Sequence, residues 1–290
     1  MTPKETDMPI DEQQQAIDQL AASGIRIPPQ PKILTQLDRL IRSTDFDTRA
    51  IVKIISQDPG IVAMLFKAAR SPVFSRGRKL ETLDQILMVI GVKQTYNIVQ
   101  AAALASTISD SKRRAAFDTF WTRAGEVAQL ACLIAEDNVS VCNVFPDQAY
   151  MAGMFHECGV PVLMMRFPDY CQKLVLDNVN CWPRLAEEDK KFSVDHCSVG
   201  YLVARHWGLP DFVCKAIQYH HDLPADDSGV SYSLICILQM AIQIYHRLNN
   251  QANEVWDKIG ARVVEELGLN ADEEDDYCEE VSRRFLKACR

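Results

Sequence analysis

No stretch of this sequence approaches the roughly 18 uninterrupted apolar residues that a membrane-spanning helix needs. The opening Met1-Thr-Pro-Lys-Glu-Thr-Asp7 has no hydrophobic region of the signal-peptide kind. Both absences predict a cytoplasmic protein with no membrane partner. Excess positive charge is missing too: the formal net charge is -8 and the pI about 5.3, so no overall field favours non-specific binding to nucleic acid or anionic lipid. The basic tracts Arg76-Gly-Arg78-Lys79 and Lys112-Arg113-Arg114 lack the interleaved aromatics of a single-strand platform. Neither a glycine-rich phosphate loop, a dinucleotide-binding fingerprint, an internal repeat nor a low-complexity tract occurs. Ten cysteines are present, but without any Cys-x-x-Cys, and they are spread from Cys132 to Cys289. They read as reduced core thiols, with Cys158 the one to watch for reactivity.

What the chain does contain is helical periodicity, in a length of 290 residues that is ample for a sizeable core. Strand-like alternation is scarce, so the expected class is all-α. Residues 10–22 form a short amphipathic helix, broken at Gly24 and the Pro28, Pro29, Pro31 cluster. Ile33, Leu37, Leu40 and Ile41 make one apolar stripe, and Ile51, Val52, Ile54 and Ile55 another behind the N-cap Asp47. Asp58-Pro59 opens a helix to Arg70, stopped by Ser71-Pro72. Residues 83–90 end at Gly91, and 92–106 continue. A long helix is expected at 117–137, and others at 147–157, 168–178, 196–207, 211–221, 229–248, 253–267 and 272–288. The polar stretch Ser109-Asp-Ser-Lys-Arg-Arg114 is the expected subdomain boundary.

The chemistry is concentrated in Tyr150-Met-Ala-Gly-Met-Phe-His-Glu-Cys-Gly159, where an imidazole is followed at once by a carboxylate. Such a pair offers a divalent cation nitrogen and oxygen together. Its partners must come from elsewhere. His196 opens a helix behind Asp195, and His220 and His221 end another, so helix termini converging on a cleft bring these imidazoles to Glu157. Taken alone, His156 is equally a helix-terminal histidine bonding the last carbonyls, and His206 and His246 have no matched role.

An ordered series of segments resembles the HDOD domain, the output-domain relative of the HD metal-dependent phosphohydrolases. In the first half these are Ile27-Pro-Pro-Gln-Pro31, Ile54-Ile-Ser-Gln-Asp-Pro59, Leu65-Phe-Lys-Ala-Ala-Arg-Ser71 and Ile86-Leu-Met-Val-Ile-Gly91. In the second they are Trp121, Ala152-Gly-Met-Phe-His-Glu157, Asp195-His196, Val199-Gly200, Trp207-Gly-Leu-Pro210 and Ile217-Gln-Tyr-His-His221. The resemblance implies a multi-helix HD-like fold, with an N-terminal helical subdomain at 22–110 packed on an HD-type core at 111–222. An extension at 1–21 precedes them, and a helical region at 223–290 completes the second subdomain.

For function, the resemblance implies a bacterial signalling module acting through protein partners. The alternatives are a divergent metal-dependent phosphohydrolase, and a sensor using the old cleft for a nucleotide or other anion. Catalytic relatives of the wider superfamily carry a histidine two residues after the aromatic, where this chain has Arg123, and a later aspartate, where it has Gln239. Glu157 replaces their aspartate with a longer side chain. The expectation is a degenerate dyad, His156 and Glu157, in which Arg123 pairs with Glu157 where a cation would stand. Arg123, Asp195 and Gln239 then belong to a polar or ligand network. No cofactor is required. A residual divalent metal (zinc, iron, nickel, magnesium or manganese) on His156, Glu157, His196, His220 and His221 is the alternative. A homodimer contact is a further candidate, in 223–290.

Overall fold

A computed structural model describes residues 10–43, 47–75, 77–107, 114–174, 182–224 and 229–288. Among these residues there are helices and connections, with no strand and no helix long and apolar enough to cross a membrane. The first half contains α1 (Ile10–Ala22), α2 (Lys32–Ile41), α3 (Thr48–Ile55), α4 (Pro59–Ala69), the single turn α5 (Pro72–Ser75), α6 (Leu83–Ile90) and α7 (Val92–Thr107). In the second half come α8 (Arg114–Cys142), α9 (Pro146–Phe155), α10 (Gly159–Arg166), α11 (Tyr170–Leu174), α12 (Leu185–Phe192) and α13 (His196–His206). The chain ends with α14 (Asp211–Gln218), α15 (Val230–Leu248), α16 (Trp256–Glu266) and α17 (Glu274–Ala288).

Local chemistry accounts for the helix ends. The Asp47 carboxylate accepts from the Arg49 amide at 3.0 Å, and Asp58 accepts from Gly60 and Ile61 at 2.9 and 3.0 Å, leaving Pro59 where no donor is needed. Thr82 and Gln85 form a reciprocal capping box at the start of α6. Gly91, at φ 90°, closes the same helix by donating to the Leu87 carbonyl at 3.0 Å. A side chain would be strained at that angle.

Three helices were not expected: the single turn α5, α10 and α12. Pro161 sits inside α10, but in its first turn, where backbone N–H groups have no helical acceptor, so its missing donor costs nothing. α12, Leu-Ala-Glu-Glu-Asp-Lys-Lys-Phe, has no apolar stripe, and its one fully buried position is occupied by Glu188. Only Tyr170–Leu174 of the segment expected at 168–178 is helical among the described residues. The helix expected at 211–221 stops at Gln218, leaving Tyr219, His220 and His221 in the turn beyond. The expected boundary at 109–114 lies, except for Arg114, outside the described residues.

α8 is the central column, packed on one side by α9 and on another by α15. Its Ala124, Val127, Ala128, Leu130 and Ala131 are all inaccessible. Contact is close because Gly153 of α9 has no side chain: a Cβ there would lie 2.4 Å from Ala128 Cα. Gly159 is tighter still, since a Cβ would meet the His196 carbonyl oxygen at 2.1 Å. Both neighbours are backbone and cannot swing aside. Gly159→Ala is therefore expected to cost about 1–3 kcal/mol by forcing the α9–α10 corner off α13. A urea midpoint unchanged from the parent's would contradict that packing. At the other end of α13, the Trp207 indole N–H donates to the Pro28 carbonyl at 2.9 Å, and the Trp207 carbonyl accepts from Gln30 and Gln100, each at 3.2 Å.

No disulfide joins any two of the eight cysteines among the described residues. Burial pushes the Cys158 thiol well up, so it is an inert core thiol.

Candidate functional site

Three helix termini meet. His156 caps the C-terminus of α9, His196 is the first residue of α13, and His220 and His221 follow α14. The close approach at Gly159 sets the first of these termini directly on the second. Ring centroids lie 5.2 Å apart for His156–His220, 5.2 Å for His196–His220, 5.0 Å for His196–His221 and 4.3 Å for His220–His221. His156, His196 and His220 are fully buried, while His221 is half-buried.

Their partners fix the tautomers, because a carbonyl or carboxylate oxygen can only accept. His156 Nδ1 donates to the Gly153 carbonyl at 2.6 Å, and His220 Nδ1 to the Ile217 carbonyl at 2.7 Å. His196 Nδ1 donates at 2.6 Å to Glu188, which also accepts from the His196 amide at 3.1 Å and from the Tyr170 hydroxyl. Each ring thus turns Nε2 away from its anchor. His196 Nε2 lies 3.3 Å from His220 Nε2 and 3.0 Å from His221 Nε2. Cys197 Sγ sits 3.7 Å from His196 Nε2 and 3.6 Å from His220 Nδ1.

The Glu157 carboxylate is inaccessible, and its Oε2 accepts from Arg123 Nη2 at 2.8 Å, the pair expected from the sequence. The guanidinium also lies over the Trp182 ring at 4.2 Å, and the His246 ring stacks on that indole at 4.8 Å. Burial pushes the Glu157 carboxyl up, but Arg123 and the imidazoles of His156, His196 and His221 outweigh it and hold the pKa to about 2. Burial likewise lowers His156 and, reinforced by the neighbouring rings, takes His220 well down and His221 to about 3. His196 goes the other way: burial opposes its charge, but Cys197 and the Glu188 carboxylate outweigh burial.

Two residues expected in the network have other tasks. Asp195 caps α13, accepting from the Ser198 amide at 2.8 Å and hydroxyl at 2.7 Å, so its carboxylate is used by the helix and not by the cluster. Gln239 donates its side-chain amide to the main-chain carbonyl of His220, holding the turn and not the ring. Sequence reasoning missed Glu188, Cys197, Trp182 and Tyr170. Only Cys197, adjacent to His196, carried a visible signal.

A cation held in the HD manner does not fit the His156–Glu157 dyad. Its carboxylate already faces a fixed positive charge, and the Gln239 amide is committed to the His220 main-chain carbonyl. By contrast, His196, Cys197, His220 and His221 have ligand atoms within 4.8 Å of one another, a set that could hold a metal ion.

The HDOD domain family matches residues 27–223. An uncharacterized protein of Treponema pallidum (strain Nichols) is 24% identical over 205 residues, which is 68% of this chain and 38% of that protein. The chain thus spans well under half the length of that relative. Among solved structures, an HDOD domain protein of unknown function from Geobacter sulfurreducens has a TM-score of 0.65 at 19% identity, covering 97% of this chain and 99% of that one. A candidate metal-dependent phosphohydrolase from Shewanella amazonensis SB2B gives 0.67 at 19%, over 95% and 98% of the two chains. A candidate signal-transduction protein from Marinobacter aquaeolei VT8 gives 0.68 at 20%, over 98% of this chain and 66% of that one. These likenesses show a shared helical fold.

Proposed function

Because this chain belongs to the HDOD domain family, we propose that it is a signal-transduction module without hydrolytic activity, working through a protein partner. The observation that carries this reading is the buried Arg123–Glu157 bond of 2.8 Å. Phosphoester hydrolysis in this superfamily needs a cation to polarise the phosphate and lower the pKa of the attacking water. Arg123 brings positive charge to the same carboxylate, but a guanidinium has no open coordination position and cannot activate water. It also repels the cation that would do so. The surroundings support the reading further, since His156, His196 and His220 are buried and present almost no accessible surface to a phosphodiester.

The experiment is a hydrolysis screen on the full chain with phosphodiester and nucleotide substrates, supplemented in turn with zinc, ferrous, nickel, magnesium and manganese ions. No turnover above the buffer rate is expected with any of them. Metal-dependent turnover that disappears in His156→Ala would overturn the proposal.

A further inference from the structure

We propose that His196, Cys197, His220 and His221 bind one soft transition-metal ion of the zinc type, at a site beside the His156–Glu157 dyad. The first argument is spacing. A tetrahedral ion with bonds of about 2.0–2.1 Å to nitrogen and about 2.3 Å to sulfur sets its nitrogens about 3.3 Å apart and sulfur about 3.6 Å from nitrogen. Here His196 Nε2 lies 3.3 Å from His220 Nε2, 3.0 Å from His221 Nε2 and 3.7 Å from Sγ, and the four ligand atoms all lie within 4.8 Å of one another. This is closer than side chains without a shared partner normally bring three basic nitrogens and a thiol.

The second argument counts lone pairs. His196 and His220 have their Nδ1 protons committed to Glu188 and Ile217, so in the neutral rings both Nε2 atoms are acceptors, and they face each other. A proton on His196 Nε2 can point at His221 or at His220, and the other lone pair then stays unmatched in a buried site. A single cation among them accepts every one. Beside the cluster, His156 Nε2 and Glu157 Oε1 are buried with no hydrogen-bond partner among the described residues, so the pocket's polar groups are under-satisfied by the protein alone.

The surrounding groups are those that orient metal-binding imidazoles. Glu188 fixes His196 as a carboxylate–histidine pair, Tyr170 in turn donates to Glu188, and a backbone carbonyl fixes His220. No carboxylate oxygen belongs to the ligand set. That disfavours magnesium, calcium and manganese and selects a metal preferring imidazole and thiolate. On binding, the Cys197 thiol proton and any proton on His196 Nε2 pass to solvent, leaving a thiolate and neutral imidazoles around the ion. Entry is through the turn after α14, where His221 is half-buried and Tyr219 is 39% exposed.

Cobalt(II) is the probe. The full chain, stripped with chelator and titrated with Co2+, is expected to bind one ion with the intense visible bands of tetrahedral coordination and a sulfur-to-cobalt charge-transfer band. One equivalent of Zn2+ should bleach both. Cys197→Ser should abolish the charge-transfer band. Glu188→Gln should weaken affinity by about 10–100-fold, and loss of a ligand in His221→Ala by more than that range. His221 is half-buried, so that variant carries the smallest folding risk, and circular dichroism checks it. Glu187→Ala, on the exposed side of α12, should leave the titration unchanged, and turnover in the hydrolysis screen would refute the functional proposal and leave this one standing. Less than one ion per folded wild-type chain, a weak octahedral spectrum, or a charge-transfer band that survives Cys197→Ser would overturn it.

Discussion

Arg123→Met is expected to destabilise the folded chain by about 3–5 kcal/mol, because methionine fills a similar volume but leaves Glu157 buried as an uncompensated charge. The effect should have a distinctive pH signature. In the parent, the Glu157 pKa is lowered from 4.5 to about 2, so its ionised form adds stability that is fully present above about 4.5 and is lost as pH falls toward 2. In the variant, burial still pushes the carboxyl up while the largest opposing charge is gone, so the carboxyl moves up from its place in the parent. Acidification from about 4.5 toward 2 should then cost the variant less stability than it costs the parent. Adding Glu157→Gln should recover most of the loss, since an amide needs no counter-charge. Urea midpoints measured across pH read all three chains. A single variant as stable as the parent would mean that Arg123 is not what compensates the buried carboxylate.

Glu188→Ala is expected to cost at least about 3 kcal/mol. It strips the Tyr170 hydroxyl, the His196 amide and the His196 ring of one shared acceptor, and each buried donor left unsatisfied costs about 1–3 kcal/mol. Glu187, one position earlier, provides the control. It bonds Lys191 at 2.7 Å on the surface, so Glu187→Ala should stay within about 0.5 kcal/mol of the parent. Comparable thermal shifts for the two alanine variants would remove Glu188 from its central place in the cluster.

These neighbours show where the sequence was legible and where it was not. Helices such as α3, α4 and α6 announce themselves through caps and apolar stripes, which are local signals whose chemistry lies within a few residues of the helix end. His156, His196, His220 and His221 were legible as a group through the family pattern, and Arg123 through its departure from it. Glu188 had no such mark. In Leu-Ala-Glu-Glu-Asp-Lys-Lys-Phe it is one acid among charges of both signs, and only tertiary packing turns it inward while Glu187 and Lys191 remain accessible. Asp195 failed in the opposite sense: a carboxylate next to a site histidine suggests a role at the site, yet the nearest unsatisfied donors are those of its own helix, and they claim it first. α10 was hidden by Gly159 and Pro161, residues that usually punctuate chains but that its first turn accommodates.

The helix α13 has His196 at one end and adjoins Trp207 at the other. Its eleven residues make a rod about 16 Å long. A hydrogen-bonded rod of that length barely compresses, so the histidine cluster and the Pro28 carbonyl are mechanically in series. A displacement of a few tenths of an ångström at His196 is either absorbed in the backbone where Gly159 touches it or delivered, undiminished, to the proline-rich segment ahead of α2.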